Sequence, residues 1–253
     1  MRFSIIIPSY NQENYIEATL QNVLLLKNKA LEKGIEIEIL LYDSESNEAV
    51  LKIISKYATQ LSKVEIKKDL GQYDAINKGI TACSGDYWTW LNTDDTLDIE
   101  GFFKLAELVK NNPSIDYIYG GVNYMDAAGN YLKNYKAYSL SLKTLVHKDP
   151  AIFQPGSFFK KSFTTKIGLL ASYRCCFDYE YILRCMKNGA EFYCCDFALS
   201  NFRYYTASKT GSIIPVFIRE QLTISKLYGR TFWSFMTWFA HLRLLKHSLF
   251  PRK

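Results

Sequence analysis

No Cys-x-x-Cys pair occurs in this chain, although it has six cysteines at 83, 175, 176, 185, 194 and 195. Two adjacent doublets and two singletons do not give the spacing of a structural zinc site. No Gly-x-Gly-x-x-Gly follows the first apolar run, which argues against a dinucleotide-dependent oxidoreductase. The loop in that place, Pro8-Ser9-Tyr10-Asn11-Gln12, has neither glycine nor arginine, so it is unlike the phosphate loop of a nucleotidylyltransferase. No apolar run approaches the roughly 20 residues needed to cross a bilayer. There is no internal repeat, low-complexity stretch or long linker. The net charge of +6 is too small to argue for a nucleic-acid partner, though it suits phosphates or anionic lipid. At the start, the apolar run ends at Pro8, which fits a strand better than a secretory segment. With thiols expected to be reduced, this predicts a cytoplasmic location.

What is present is a folded composition, 48% hydrophobic and 22% charged, in 253 residues. That is enough for one sizeable core, or one core with an appendage. Aromatics reach 15%, with 19 Tyr and 16 Phe. Over the first 120 or so residues, strand and helix patterns alternate. Apolar or alternating runs at 3–7, 35–42, 64–67, 87–91 and 117–122 read as strands. Between them, apolar residues recur at helical spacing, as in Ile16, Leu20, Val23 and Leu24. Repeated β-α-β units predict a mostly parallel sheet flanked by helices, with ligands beyond the carboxyl ends of the strands. The second half is less regular, with a hairpin turn at 126–130 and a helix opening at 177.

Polar groups gather where the strands end. Pro8, Ser9, Tyr10 and Asn11 follow the first strand, and Asp43 the second. Asp69, Gly71 and Asp74 follow the third, and Asn92, Asp94 and Asp95 the fourth. The adjacent carboxylates Asp94 and Asp95 repel each other. Either a divalent cation, Mg²⁺ or Mn²⁺ with a phosphate, explains them, or they cap the helix that follows.

Taken in order, five stretches stand together: Ser4-Ile5-Ile6-Ile7-Pro8-Ser9-Tyr10-Asn11, Tyr42-Asp43-Ser44-Glu45-Ser46, Asp69 through Gly79, Leu91-Asn92-Thr93-Asp94-Asp95, and Phe177-Asp178-Tyr179-Glu180. This set resembles glycosyltransferase family 2, the inverting enzymes of GT-A fold, and within it the branch that builds bacterial surface polysaccharides. The resemblance implies a GT-A catalytic domain over 1–212. Its nucleotide-sugar half would be 1–122 and its irregular acceptor half 123–212, followed by a helical, aromatic and basic tail over 213–253. It implies a nucleoside diphosphate sugar donor, a divalent cation, and a glycan or lipid-linked acceptor, with hexosyl or N-acetylhexosaminyl transfer. Pro8, Ser9 and Tyr10 match the cradle for base and ribose, and Asp43 the acid that recognises the base, usually uracil. Asp74, Asn77 and Lys78 match the nucleotide side of the site. Asp94 and Asp95 match the ribose-phosphate and metal motif, with Asp95 the direct metal ligand. Asp178 matches the catalytic base, and Glu180 is the fallback.

Three departures stand out. The second stretch lacks the family's usual glycines and threonine, Asn92 stands where an aspartate is common, and no histidine occurs in the late loop at 202–211. Arg203 or Lys209 is the candidate for the missing positive charge there. Gln154, Pro155 and Gly156 are weak candidates for lining the acceptor site. The rival readings are a nucleotide-sugar-binding subunit without catalysis and, further off, a nucleotidylyltransferase.

The tail holds an uncharged aromatic stretch of about 12 residues, 231–242, followed by Arg243, Lys246, His247, Arg252 and Lys253. It is too short to span a bilayer, so it either packs on the domain as a helix or lies at the inner leaflet of a membrane over 231–253.

Overall fold

The computed structural model describes residues 1–148, 154–205 and 214–249. Lys209, Arg252 and Lys253 fall outside them. The amino-terminal half runs β1 (Arg2–Ser9), α1 (Ile16–Glu32), β2 (Glu36–Asp43), α2 (Glu48–Tyr57), β3 (Lys63–Ile66), α3 (Gln72–Ala82), β4 (Tyr87–Trp90), β5 (Thr96–Leu97) and α4 (Ile99–Asn111). There follow β6 (Tyr117–Met125), β7 (Tyr131–Tyr135), α5 (Leu142–His147), β8 (Ser157–Lys160), α6 (Lys161–Ile167), α7 (Phe177–Lys187) and β9 (Phe192–Arg203). The last two helices are α8 (Ile214–Leu227) and α9 (Phe235–Leu249).

The strands form one mixed sheet in the order β3-β2-β1-β4-β8-β6-β9-β5, with β7 paired to β6. As the β-α-β pattern predicts, β1 to β4 are parallel neighbours, with Ser9 level with Asp43 and Ile6 level with Trp90. The sequence did not reveal β8. It is four residues long and runs antiparallel between β4 and β6. The predicted hairpin is the β6–β7 turn, where the Asp126 carboxylate accepts the N–H groups of Ala128 and Asn130, each at 2.9 Å.

Strand β1 shows why the central runs are mostly apolar. Phe3, Ile5 and Ile7 enter a core shared with α1, α2 and α4, while Ile6 enters a second core on the opposite face with α3 and α7. A sheet covered on both faces leaves no polar side to alternate with. Helix α3 lies so close to β1 that a Cβ on Gly79 would stand 2.4 Å from the Ile6 side chain. Any larger residue there would force the Ile6 side chain or α3 to shift.

The segment from residue 213 divides in two. Helix α8 belongs to the second core through Phe217 and Ile224. Its Glu220 accepts the N–H groups of Arg174, Cys175 and Cys176 at 2.8, 2.8 and 3.0 Å, holding the start of α7. Helix α9 packs outside, on α8 and α5.

Candidate active site

A cavity of about 410 Å³ opens at the carboxyl ends of β1, β2 and β4. The loop after β1 contributes Pro8, Ser9, Tyr10 and Gln12, and the loop after β2 contributes Ser44. Asp69, Gly71 and Gln72 bring in the start of α3, and Asn92, Thr93 and Asp94 come from the end of β4. Phe202 and Tyr205 close the far wall from the end of β9.

Hydrogen bonds between the first two loops hold them in shape. Asp43 accepts the Ser46 N–H at 2.8 Å and its hydroxyl at 2.6 Å. Ser46 Oγ accepts the Asn11 N–H at 2.9 Å, and the Asn11 side chain accepts the Asn47 N–H at 2.8 Å. Asn11 and Glu45 carry positive φ, 49° and 55°, as their tight turns demand. Asp43 is thus buried inside its own turn, and it is Ser44 that lines the cavity. Ser9 is 3% exposed, lines the cavity, and its hydroxyl has no hydrogen-bond partner among the described residues.

At α3, Asp69 accepts the Gly71 N–H at 2.9 Å, and Gly71 takes φ 127°, a conformation that favours glycine. The start of α3, Gly71 and Gln72, lines the cavity, and Asp74 in its first turn accepts the Leu70 N–H at 3.2 Å. Asp74, Asn77 and Lys78, expected on the nucleotide side, lie further along α3 and do not line the cavity. Asp74 pairs with Lys78 at 3.2 Å on the helix surface. The Asn77 amide donates to Leu170 O and accepts Leu170 N–H, both at 2.9 Å, pinning a distant loop.

Asp94 and Asp95 part company. Asp94 lines the cavity, and its Oδ2 accepts the Tyr205 hydroxyl at 3.0 Å. Asp95 is fully buried beneath; one oxygen accepts the Arg203 N–H at 3.0 Å and the other the Asn92 amide at 3.4 Å. Burial first, and the neighbouring Asp94 charge second, raise its pKa well above the usual carboxylate range. In this structure both Asp95 oxygens serve the protein interior, and Asp94 is the carboxylate that reaches the cavity. Neither carboxylate caps the next helix, since Asp98 does so by accepting the Gly101 N–H at 2.7 Å. Thr19 of α1 reinforces the loop, its hydroxyl 2.7 Å from Asp95 O.

Arg203 is occupied too. Its guanidinium donates to the carbonyls of Asp94, Asp126 and Ala127 at 3.0, 3.2 and 2.9 Å and lies over the Tyr15 ring. It ties the Asp94 loop to the β6–β7 hairpin and does not line the cavity. Tyr205, not among the residues singled out by pattern, lies tilted against Tyr15 with ring centroids 5.1 Å apart; burial and the Asp94 charge push its hydroxyl up to about 12.

Asp178 does not line this cavity, but it sits at the same edge of the sheet. Helix α7 runs back along β4, with Phe177 against Trp90 at its start and Tyr181 against Trp88 one turn on. Its first turn therefore lies at the carboxyl end of β4. Asp178 is half-buried, and burial is the main cause raising its pKa to about 6, with the Glu220 charge adding to it against the Tyr179 N–H. Glu180 is unsuited as a substitute. It is 8% exposed, paired with Arg184 at 2.9 Å, and accepts the Tyr228 hydroxyl at 2.9 Å. Gln154, Pro155 and Gly156 are likewise buried in the sheet and do not line the cavity; Gln154 donates to Trp90 O at 2.8 Å and so secures the end of β4.

Among the described residues, no three His, Cys, Asp or Glu side chains gather into a metal cage. One carboxylate facing a polar cavity is nonetheless the usual protein share of a Mg²⁺ or Mn²⁺ site completed by substrate phosphates. Asp94 fits that arrangement.

Fold and cavity together describe a mixed α/β protein with a cavity where the parallel strands end, the place such sheets offer to ligands. The family model for Glycosyl transferase family 2 matches residues 4–203, and the chain belongs to that family. A PGL/p-HBAD biosynthesis glycosyltransferase of Mycobacterium bovis is 26% identical over 193 residues, covering 74% of this chain and 71% of the relative. An uncharacterized glycosyltransferase of Methanocaldococcus jannaschii is 22% identical over 196 residues, covering 75% and 66%. The match thus spans about two-thirds of these relatives' lengths. The crystal structure of S. aureus TarS 1-349 superposes with a TM-score of 0.69 at 15% identity, over all of this chain and 76% of that one. The same protein in complex with UDP-GlcNAc gives 0.68 at 16%, also over 76% of its length. The fold is GT-A.

Proposed function

We propose that this chain transfers a hexosyl or N-acetylhexosaminyl group, with inversion, from a UDP-linked sugar to a hydroxyl of a glycan or lipid-linked acceptor in bacterial surface polysaccharide synthesis. The observation that carries this is the cavity itself. It joins a carboxylate (Asp94), a buried hydroxyl without a partner among the described residues (Ser9) and the start of α3 in one space beyond the parallel strands. A nucleoside diphosphate offers each of these a matching group. The UDP-GlcNAc complex of TarS and the biosynthetic names of the mycobacterial relatives support the reading.

In this reading Tyr10, Ser9 and Ser44 hold base and ribose, and Asp43 keeps their loops in shape. Asp94 holds a divalent cation with the diphosphate, and Tyr205 orients its carboxylate. When bound, the cation would offset charge gathering on the departing diphosphate. Asp178, raised toward neutrality, accepts the proton of the incoming hydroxyl. Attack from the face opposite the leaving group inverts the anomeric centre in one displacement, with no covalent enzyme intermediate.

Calorimetric titration of UDP-sugars, with Mn²⁺ and with chelator, tests donor binding. Mn²⁺-dependent affinity is expected, and its absence for every nucleoside diphosphate sugar sinks the proposal. Slow release of UDP from the bound donor by the wild type, but not by Asp178→Asn, separates an enzyme from a binding subunit.

A further inference from the structure

Helix α9 turns Met236 and Ala240 inward against its neighbours, and both are buried. Its opposite face carries Phe235, Trp238, Phe239, Leu242 and Leu245, spaced i, i+3, i+4, i+7 and i+10. On one helix these positions make a single stripe. All five are exposed, and Trp238 and Leu242 are 51% and 63% accessible. The stripe extends into the preceding turn, where Phe232 is 64% and Trp233 80% exposed. Phe232 stacks edge-on against both Trp233 and Trp238, so the aromatics form one patch. Burying such a patch removes a large apolar area from water; leaving it bare has no structural return.

Charge identifies the occupant. After Glu220 the sequence has no Asp or Glu, and the last 33 residues hold Lys226, Arg230, Arg243, Lys246, Arg252 and Lys253. Those six account for the entire net charge of +6, leaving 25 basic and 25 acidic residues in the rest of the chain. Arg230 is spent inside, donating to Ser225 Oγ and Leu222 O. Lys226 is exposed, and Arg243 lies half-exposed over Phe239 at the border of the stripe. A second copy docking symmetrically would set these cations against each other. An anionic bilayer surface accepts both parts: Trp and Phe settle at the headgroup level, and the cations meet lipid phosphates. No described helix is long and apolar enough to cross a membrane, so the helix lies in the interface plane.

We infer that α9 and the turn before it form a membrane-docking face that lays the protein on anionic phospholipid through Phe232, Trp233, Phe235, Trp238, Phe239 and Leu242. The face adjoins the acceptor-side helices, because α9 packs on α5, and α5 on the α7 that carries Asp178. The inference does not rest on the catalytic reading, since binding to lipid is measured without donor or acceptor.

Co-sedimentation of the full chain with vesicles tests it, using phosphatidylcholine alone and phosphatidylcholine mixed with phosphatidylglycerol. Binding to the anionic vesicles is expected to be at least about tenfold tighter and to weaken in molar salt. The triple variant Phe235→Ser, Trp238→Ser, Leu242→Ser, which alters exposed positions only, is expected to lose about tenfold or more while keeping the wild-type circular dichroism and thermal transition. A blue shift of tryptophan emission on anionic vesicles, smaller in Trp238→Phe, gives a second expected readout. No sedimentation with anionic vesicles, or equal sedimentation of the triple variant, overturns the inference. So does a dimer in sedimentation equilibrium that the same variant dissociates, because the face would then be a contact between copies.

Discussion

Asp94 and Asp95 are adjacent in the chain and turn to opposite sides of their loop. Asp94 meets the Tyr205 hydroxyl at the cavity wall, while Asp95 takes the Arg203 N–H in the interior. The two carboxylates therefore predict different losses. Asp95→Ala leaves the buried Arg203 N–H without its acceptor, which costs about 1–3 kcal/mol of stability, while the Asn92 amide can turn to the cavity. Asp94→Ala removes one partly accessible hydrogen bond, about 1 kcal/mol, yet abolishes Mn²⁺-dependent donor binding. Thermal unfolding alongside calorimetry checks both. A stable Asp95→Ala protein that no longer binds Mn²⁺ with donor would restore Asp95 as the ligand.

The sequence carried the location of this site further than its detail. Largely apolar runs that end near Ser9, Asp43 and Trp90 mark the strand ends, because a strand buried on both faces admits few polar groups. Those inside, Ser4 and Thr89, are buried with hydrogen-bond partners. Side-chain direction in the loops beyond is set by contacts from far along the chain. Arg203 and Tyr205, over a hundred residues away, decide which of two neighbouring aspartates faces the ligand. The same limit hid β8, whose four residues are too few for a period, and it misled the reading of Glu180, whose partner Tyr228 lies beyond the next helix. The sequence predicts a helical aromatic tail, but which of its apolar residues are buried, Met236 and Ala240, is visible only in the structure.

Burial holds the Asp178 carboxyl up at about 6, from 3.8. As general base it must be ionised, so kcat/KM should rise with pH through about 6 and level off above. In Asp178→Asn that limb should vanish and turnover fall about 10²–10⁴-fold. Stability moves the other way. The folded state holds this proton more tightly than the unfolded chain, so the group costs nothing below about pH 3.8. The cost grows through the window from there to about 6 and is complete above it. Asp178→Asn should therefore gain about 2 kcal/mol at pH 7 and nothing at pH 3.5. A pH–rate profile and denaturant midpoints at the two pH values would show it. An unchanged acidic limb in the variant removes Asp178 from the role of base.

Tyr205→Phe deletes a single hydroxyl and keeps the ring packed on Tyr15. Without that donor the Asp94 carboxylate is free to turn, and partners of metal ligands are commonly worth about 10–100-fold in metal affinity. The variant should bind donor at least about tenfold more weakly in Mn²⁺, with its melting temperature little changed. Equal affinity measured by calorimetry would make Tyr205 a wall residue only.

Asn77 provides the counter-test, because its place in the sequence pattern and its place in the structure point to different effects. Its amide makes two hydrogen bonds to the Leu170 backbone at 2.9 Å each, and it does not line the cavity. Asn77→Ala breaks both and leaves a half-buried N–H and carbonyl to find water, a loss of about 2 kcal/mol. Donor affinity should stay within about twofold of the wild type, since no group facing the cavity has moved. A nucleotide-contacting Asn77 would give the reverse, weak donor binding in a protein of normal stability. Chemical denaturation and donor titration on one preparation distinguish the two. The reverse result would place the nucleotide along α3 instead of at the mouth of β1 and β4.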